Sequence, residues 1–149
     1  SLEPFFARRD RGTIVLCRTS NPGSGEVQAM RANQAGRNGD GEPVYETIAR
    51  RAADDWSKRA SIGLVVGATQ PNELAHVRRI VGDLPLLVPG VGAQGGDAAT
   101  VVRNGATPDG TGLIVNSSRA ILYASDGDDF ATAARAATSS LRDALNAAR

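Results

Sequence analysis

The sequence predicts an α/β chain of parallel strands, each followed by a helix, and two patterns carry that prediction. Four short apolar runs, Thr13–Cys17, Ile62–Val66, Leu86–Val88 and Gly112–Val115, do not alternate with polar residues. Strands covered on both faces read this way, as in a parallel sheet. Each run is followed by a segment of helical period, the order of repeated βα units. Length sets a bound: 149 residues make one domain with a real core but fall short of the roughly 200 that a closed eight-unit β/α barrel needs.

Taken in order, Leu2, Phe5 and Phe6 read as the tail of a helix, and the first strand follows at Thr13. Asn21 to Glu42 is the one long irregular stretch, rich in Gly, Asn, Gln and Arg, within which Glu26, Val27, Gln28 and Met30 begin a short helix. Structureless stretches of this length inside compact domains are commonly functional lids, so 21–42 is read as a mobile active-site loop over the carboxyl edge of the first strand. Pro43 opens a helix whose stripe is Tyr45, Ile48, Ala49, Ala52 and Trp56. After the second strand, Pro71 starts and Gly82 ends a helix striped by Leu74, Val77, Ile80 and Val81. Asp97 caps a short helix through Val101 and Val102, and Phe130 to Ala148 forms a long alanine-rich one.

Seventeen basic against sixteen acidic residues give a net charge of +1, which points away from a nucleic-acid polymer or a membrane surface as partner. A hydrophobic content of 41% argues against disorder. No apolar run approaches the roughly 18–20 residues of a membrane span, and the first residues carry no secretory pattern. A single cysteine, Cys17, excludes an internal disulfide framework and fits a reducing, cytoplasmic setting. Lying within an apolar strand, it reads as core. His76, the lone Lys58 and the Arg50–Arg51 and Arg78–Arg79 pairs fall on helices away from the strand ends and read as solvated surface.

Ligands of parallel α/β folds lie beyond the carboxyl ends of the strands. The first strand runs into Arg18-Thr19-Ser20-Asn21-Pro22-Gly23-Ser24, and the second into Gly67-Ala68-Thr69-Gln70, where Thr69 or Gln70 serves as a helix cap. After the third comes Pro89-Gly90-Val91-Gly92-Ala93-Gln94-Gly95-Gly96-Asp97, whose four glycines let the backbone turn several N–H groups toward an anion, with Gly92 and Ala93 as backbone donors. The fourth ends in Asn116-Ser117-Ser118-Arg119, opening a short helix with a guanidinium in its first turn. A cation there opposes the helix dipole unless a dianion is bound; the alternative is pairing with Asp126 or Asp128. A glycine loop followed one unit later by an arginine at a short helix matches the phosphate site after strands seven and eight of β/α barrels. On this reading the chain is the C-terminal half, about strands 5–8, of a TIM (β/α)8 barrel, and 1–149 is a single partial barrel domain. Two other readings stay open: another phosphate-binding barrel enzyme, and a non-enzymatic flavodoxin-like module with helices on both faces of an open sheet.

Leu16 to Ser24, Val65 to Thr69, Leu87 to Asp97 and Ile114 to Arg119, in this order and spacing, resemble the orotidine 5′-phosphate decarboxylase family in its longer bacterial branch. The resemblance implies a homodimeric barrel enzyme that converts orotidine 5′-monophosphate to uridine 5′-monophosphate and carbon dioxide in pyrimidine synthesis, with no metal or organic cofactor. It implies that Ser20 meets the pyrimidine edge, that Gln94 reaches phosphate and base, and that Arg119 clamps the phosphate beside the backbone N–H of Ser118 or Arg119. Many relatives have glycine where this chain has Ser118. The family's Asp-x-Lys-x-x-Asp array has no counterpart, since Lys58 is followed by Arg59-Ala60-Ser61. No catalytic residue is therefore expected among these residues, and the segment alone is expected to be inactive.

Overall fold

The computed structural model describes residues 2–33, 41–92 and 96–149. In chain order the elements are α1 (Glu3–Phe6), β1 (Gly12–Arg18), α2 (Ser24–Gln28), β2 (Arg31–Ala32), β3 (Glu42–Pro43), α3 (Val44–Asp54), a 3-10 turn (Trp56–Lys58), β4 (Ser61–Val66), α4 (Pro71–Val81), β5 (Leu86–Pro89), α5 (Ala98–Gly105), β6 (Leu113–Asn116), α6 (Ser118–Leu122) and α7 (Phe130–Ala147). The four expected strands and their following helices are all present. The two-residue ladder between β2 and β3, antiparallel and pairing Arg31 with Pro43 and Ala32 with Glu42, is an addition that no periodicity in so short a segment could signal.

The main sheet is wholly parallel and ordered β1-β4-β5-β6, the order in which its strands occur along the chain. Consecutive parallel strands joined by right-handed crossovers put every connecting helix on the same face. That is the wall of a β/α barrel. A flavodoxin-like sheet reverses its strand order to place helices on both faces, so that reading fails.

The helix-covered face holds the core. Leu64, Val66, Leu86 and Val88 of the strands close against Leu74 and Val77 of α4 and Val101 of α5, all under 2% exposed. Each such side chain contributes about 1.5–3 kcal/mol by leaving water. The opposite face is apolar too, yet Ile14, Leu16 and Ile114 remain 45%, 62% and 48% exposed. These alternate with Val15, Cys17, Leu113 and Val115, as the two-residue period of a strand requires. An apolar cavity of about 620 Å³ opens on this uncovered side at the amino ends of the strands, with Ile14, Ile62 and Ile114 in its wall and the exposed Lys58 at its margin.

The same amino-end rim holds a correction. Arg78, read as solvated, is buried, and its guanidinium gathers backbone carbonyls: Nε donates to Gly105 O at 2.7 Å, Nη1 to Leu84 O at 2.8 Å and to Gly82 O, and Nη2 to Gly112 O at 2.9 Å. These carbonyls lie where α4 and α5 end and β5 and β6 begin, so one side chain satisfies acceptors that burial would otherwise strand. Burial pulls its pKa down, opposed by Asp83. Gly82 ends α4 with φ +58°, as the sequence requires.

Candidate functional site

The carboxyl ends of the four strands meet in one continuous rim. Gly67 N donates to Arg18 O at 2.8 Å, joining the ends of β1 and β4, and Ala68 N donates to Pro89 O at 2.9 Å, joining β4 to β5. Ser20 lies directly on Gly67, where a Cβ would stand 2.9 Å from both the Cβ and the N of Ser20. Only glycine permits this approach.

Between β5 and β6 the link is a buried hydroxyl. Ser117 Oγ donates to Val91 O at 2.6 Å, tying the glycine loop to the start of α6. Gly92, at φ +82°, sits against Ser117 and Ala120, and Gly92 N donates to Gly96 O at 2.9 Å, folding the loop back on itself, so the N–H expected to face an anion is spent within the loop. Gly90, Val91, Asn116, Ser117, Ser118 and Arg119 line a cleft of about 160 Å³. Gly90 and Val91 of the glycine loop thus share one cleft with the Ser118–Arg119 step. Among the described residues Arg119 has no acidic partner, and neither Asp126 nor Asp128 forms an ion pair with it. Ala93 and Gln94 lie outside the described residues, as do 34–40 of the expected loop.

Asp97 caps α5 as the sequence requires, accepting from Thr100 N at 2.8 Å, and the side chain of Thr100, followed by that amide, holds its carboxyl below the ordinary range. Thr69 and Gln70 do not repeat that chemistry. Gln70 occupies the cap position of α4 but makes no side-chain hydrogen bond there, and Pro71 has already removed one amide donor.

Three side chains near this rim have partners that the sequence did not show. Arg18 is 6% exposed and pairs through Nε with Glu73 Oε2 at 2.5 Å, so α4 reaches the strand ends that sequence reading kept apart from it. Ser117 carries the link already described. His76, expected on a solvated face, is half-buried: its Nε2 is shielded 3.2 Å from Glu46 Oε2 without the alignment of a full hydrogen bond, while Nδ1 lies 3.2 Å from Arg79 Nη2. The cause is the packing of α3 against α4, which brings Glu46 over the ring.

Cys17 is core as expected, 1% exposed, its Sγ donating to Tyr45 O at 3.2 Å. Burial pushes its thiol up to about 12, with Arg18 pulling the other way. Burial and the neighbouring Glu46 carboxylate likewise push the Tyr45 phenol up to about 12. Among the described residues no group of three His, Cys, Asp or Glu side chains is placed to hold a metal, and no helix is long and apolar enough to cross a membrane.

Comparison with known proteins fits this geometry. Residues 3–136 match the orotidine 5′-phosphate decarboxylase / HUMPS family. The chain is 56% identical over 146 residues to orotidine 5′-phosphate decarboxylase of Ralstonia pickettii (strain 12J), covering 98% of this chain and 51% of that protein. Against the enzyme of that name from Cellvibrio japonicus (strain Ueda107) the identity is 54%, over 100% of this chain and 52% of the other. Among solved structures, Leishmania donovani UMP synthase superposes with a TM-score of 0.81 at 39% identity, over 99% of this chain and 30% of the other. Leishmania donovani OMP decarboxylase does so with 0.76 at 34% identity, over 97% and 52%. The chain spans about half the length of the curated relatives it matches.

Proposed function

Because the chain belongs to the orotidine 5′-phosphate decarboxylase / HUMPS family, we propose that it supplies the nucleotide-gripping half of an orotidine 5′-phosphate decarboxylase. The observation that carries the reading is the cleft in which the Gly90–Val91 backbone and an Arg119 without an acidic partner among the described residues meet. A guanidinium and backbone amides in one recess suit a phosphate dianion, which both donor types bind with charge-assisted hydrogen bonds. Arg119 then clamps the phosphate, with Ser118 and Ala93 offering backbone N–H groups and Gly92 shaping the turn through its own bond to Gly96 O, while Ser20 meets the pyrimidine edge and Gln94 spans phosphate and base.

The chemistry explains why a gripping half is separable from a reacting half. Loss of carbon dioxide from the pyrimidine leaves the bonding electron pair on a ring carbon, which must be stabilised and then protonated. A lysine beside that carbon can do both, and aspartates hold it there. Such an array has no counterpart among these residues. The phosphate is remote from the reacting carbon, so its grip supplies binding energy that holds the base in place. The intact polypeptide would work as a homodimer and, on this reading, needs neither metal nor organic cofactor from these residues.

Titration separates this reading from other phosphate-gripping barrels. Uridine 5′-monophosphate should bind the chain weakly and in preference to pentose phosphates, while the 149-residue chain alone should release no measurable carbon dioxide from orotidine 5′-monophosphate. Preference for a pentose phosphate, or clear turnover by this chain alone, would overturn it. Sedimentation of the intact polypeptide tests the dimer.

A further inference from the structure

Strand β1 does not end as its own alternation demands. Leu16 pairs with Val65 and Arg18 with Val66, so two steps of β1 oppose one of β4 and the register slips at Cys17. Without the slip Arg18 would share the uncovered face of Ile14 and Leu16. With it, Cys17 and Arg18 are buried in succession. Extra residues of this kind re-aim a side chain at the edge of a site.

The re-aimed guanidinium spends its donors on this chain. Nε and Nη2 form a fork on Glu73, at 2.5 and 3.4 Å, while Nη1 reaches Ser24 Oγ at 2.7 Å, Gln28 Oε1 at 3.2 Å and Thr19 O at 3.2 Å. Gln28 completes the tie: its Oε1 accepts from Thr19 N at 2.9 Å and its Nε2 donates to Thr19 Oγ1 at 3.0 Å. Both backbone polar groups of Thr19 are therefore held by side chains that converge on Arg18. The next residue is Ser20, which is wedged on Gly67.

We propose that Arg18, clamped by Glu73, is a positioning residue that fixes Ser20 for the base of the nucleotide. The same guanidinium couples that position to α2 at the root of the following loop. The proposal rests on the nucleotide reading above. Holding Thr19 before the ligand arrives removes an ordering cost of roughly 1–2 kcal/mol per residue from binding. Only an arginine spans these acceptors: a lysine has one compact ammonium group and cannot form the fork on Glu73 while reaching Ser24 and Gln28. The effect is local to the base side of the rim, since none of Arg18, Thr19, Ser24, Gln28 and Glu73 is among the described residues that line the Gly90–Arg119 cleft.

The test uses the intact polypeptide that carries this segment, with calorimetric titration of uridine 5′-monophosphate and, separately, ribose 5-phosphate. Arg18→Lys and the shape-conserving Glu73→Gln should each weaken the nucleotide roughly tenfold and leave ribose 5-phosphate within about twofold of the parent. Glu73→Gln retains the packing, so it reports even if Arg18→Lys fails to fold. Equal weakening of both ligands would mark a general loss of structure and overturn the proposal, as would unchanged nucleotide affinity in a parent that binds it. A parent that binds neither ligand would instead overturn the nucleotide reading itself.

Discussion

Two arginines stand at strand ends on the same rim and are put to opposite uses. Arg18, the last residue of β1, is buried and its donors are satisfied by Glu73, Ser24, Gln28 and the Thr19 carbonyl. Arg119, after β6, is exposed and has no acidic partner among the described residues. The β1 end of the rim is thus held by side chains. The β5–β6 end is built from backbone, one serine hydroxyl and a cation without an acidic partner among the described residues. A buried, satisfied arginine organises protein; on the proposed reading, an exposed one at a concave glycine loop is left for the ligand.

Removing each arginine should separate the two roles. Arg119→Ala is expected to have the largest effect, weakening uridine 5′-monophosphate by roughly 100-fold, as loss of a charged hydrogen-bonding partner does, with folding stability within about 0.5 kcal/mol of the parent. Calorimetry and denaturant titration measure the pair of values, and uridine without its phosphate should be indifferent to the change. Arg18→Met should do the reverse in stability, lowering it by about 2 kcal/mol because Glu73 is left mostly buried and unpaired, which a urea midpoint reports. Ser117→Ala deletes the hydroxyl that holds Val91 O and should lower stability by about 1 kcal/mol, while loosening nucleotide binding by a few-fold.

The smallest effect belongs to Cys17, which lies beneath Arg18. Its folded thiol is raised from 9.0 to about 12, so the native state holds the proton more tightly than the unfolded chain does. The resulting stability is complete below pH 9 and is lost as the pH rises toward 12. Cys17→Ala should flatten that alkaline decline in denaturant midpoint, and the native thiol should resist alkylation at neutral pH until the chain unfolds.

Most of the fold was legible because each strand is an uninterrupted apolar run and each helix carries its own start and stop residues, such as Pro71, Gly82 and Asp97. The Gly90–Arg119 cleft was legible because glycines and an arginine fall one βα unit apart. Arg18, Arg78 and His76 were not. A long charged side chain looks alike in sequence whether it lies in water or in a core, and its fate depends on partners such as Glu73, which is 55 residues from Arg18. The register slip at Cys17 was hidden for a similar reason, since only the pairing with β4 defines it.

Arg78 fastens the rim opposite the candidate site. Because one guanidinium gathers the carbonyls of Gly82, Leu84, Gly105 and Gly112, two neighbouring βα units are riveted together at the far ends of the strands. The loops at the other end can therefore be rewritten without loosening the frame that presents them. The same rivet is what a protein engineer should leave untouched.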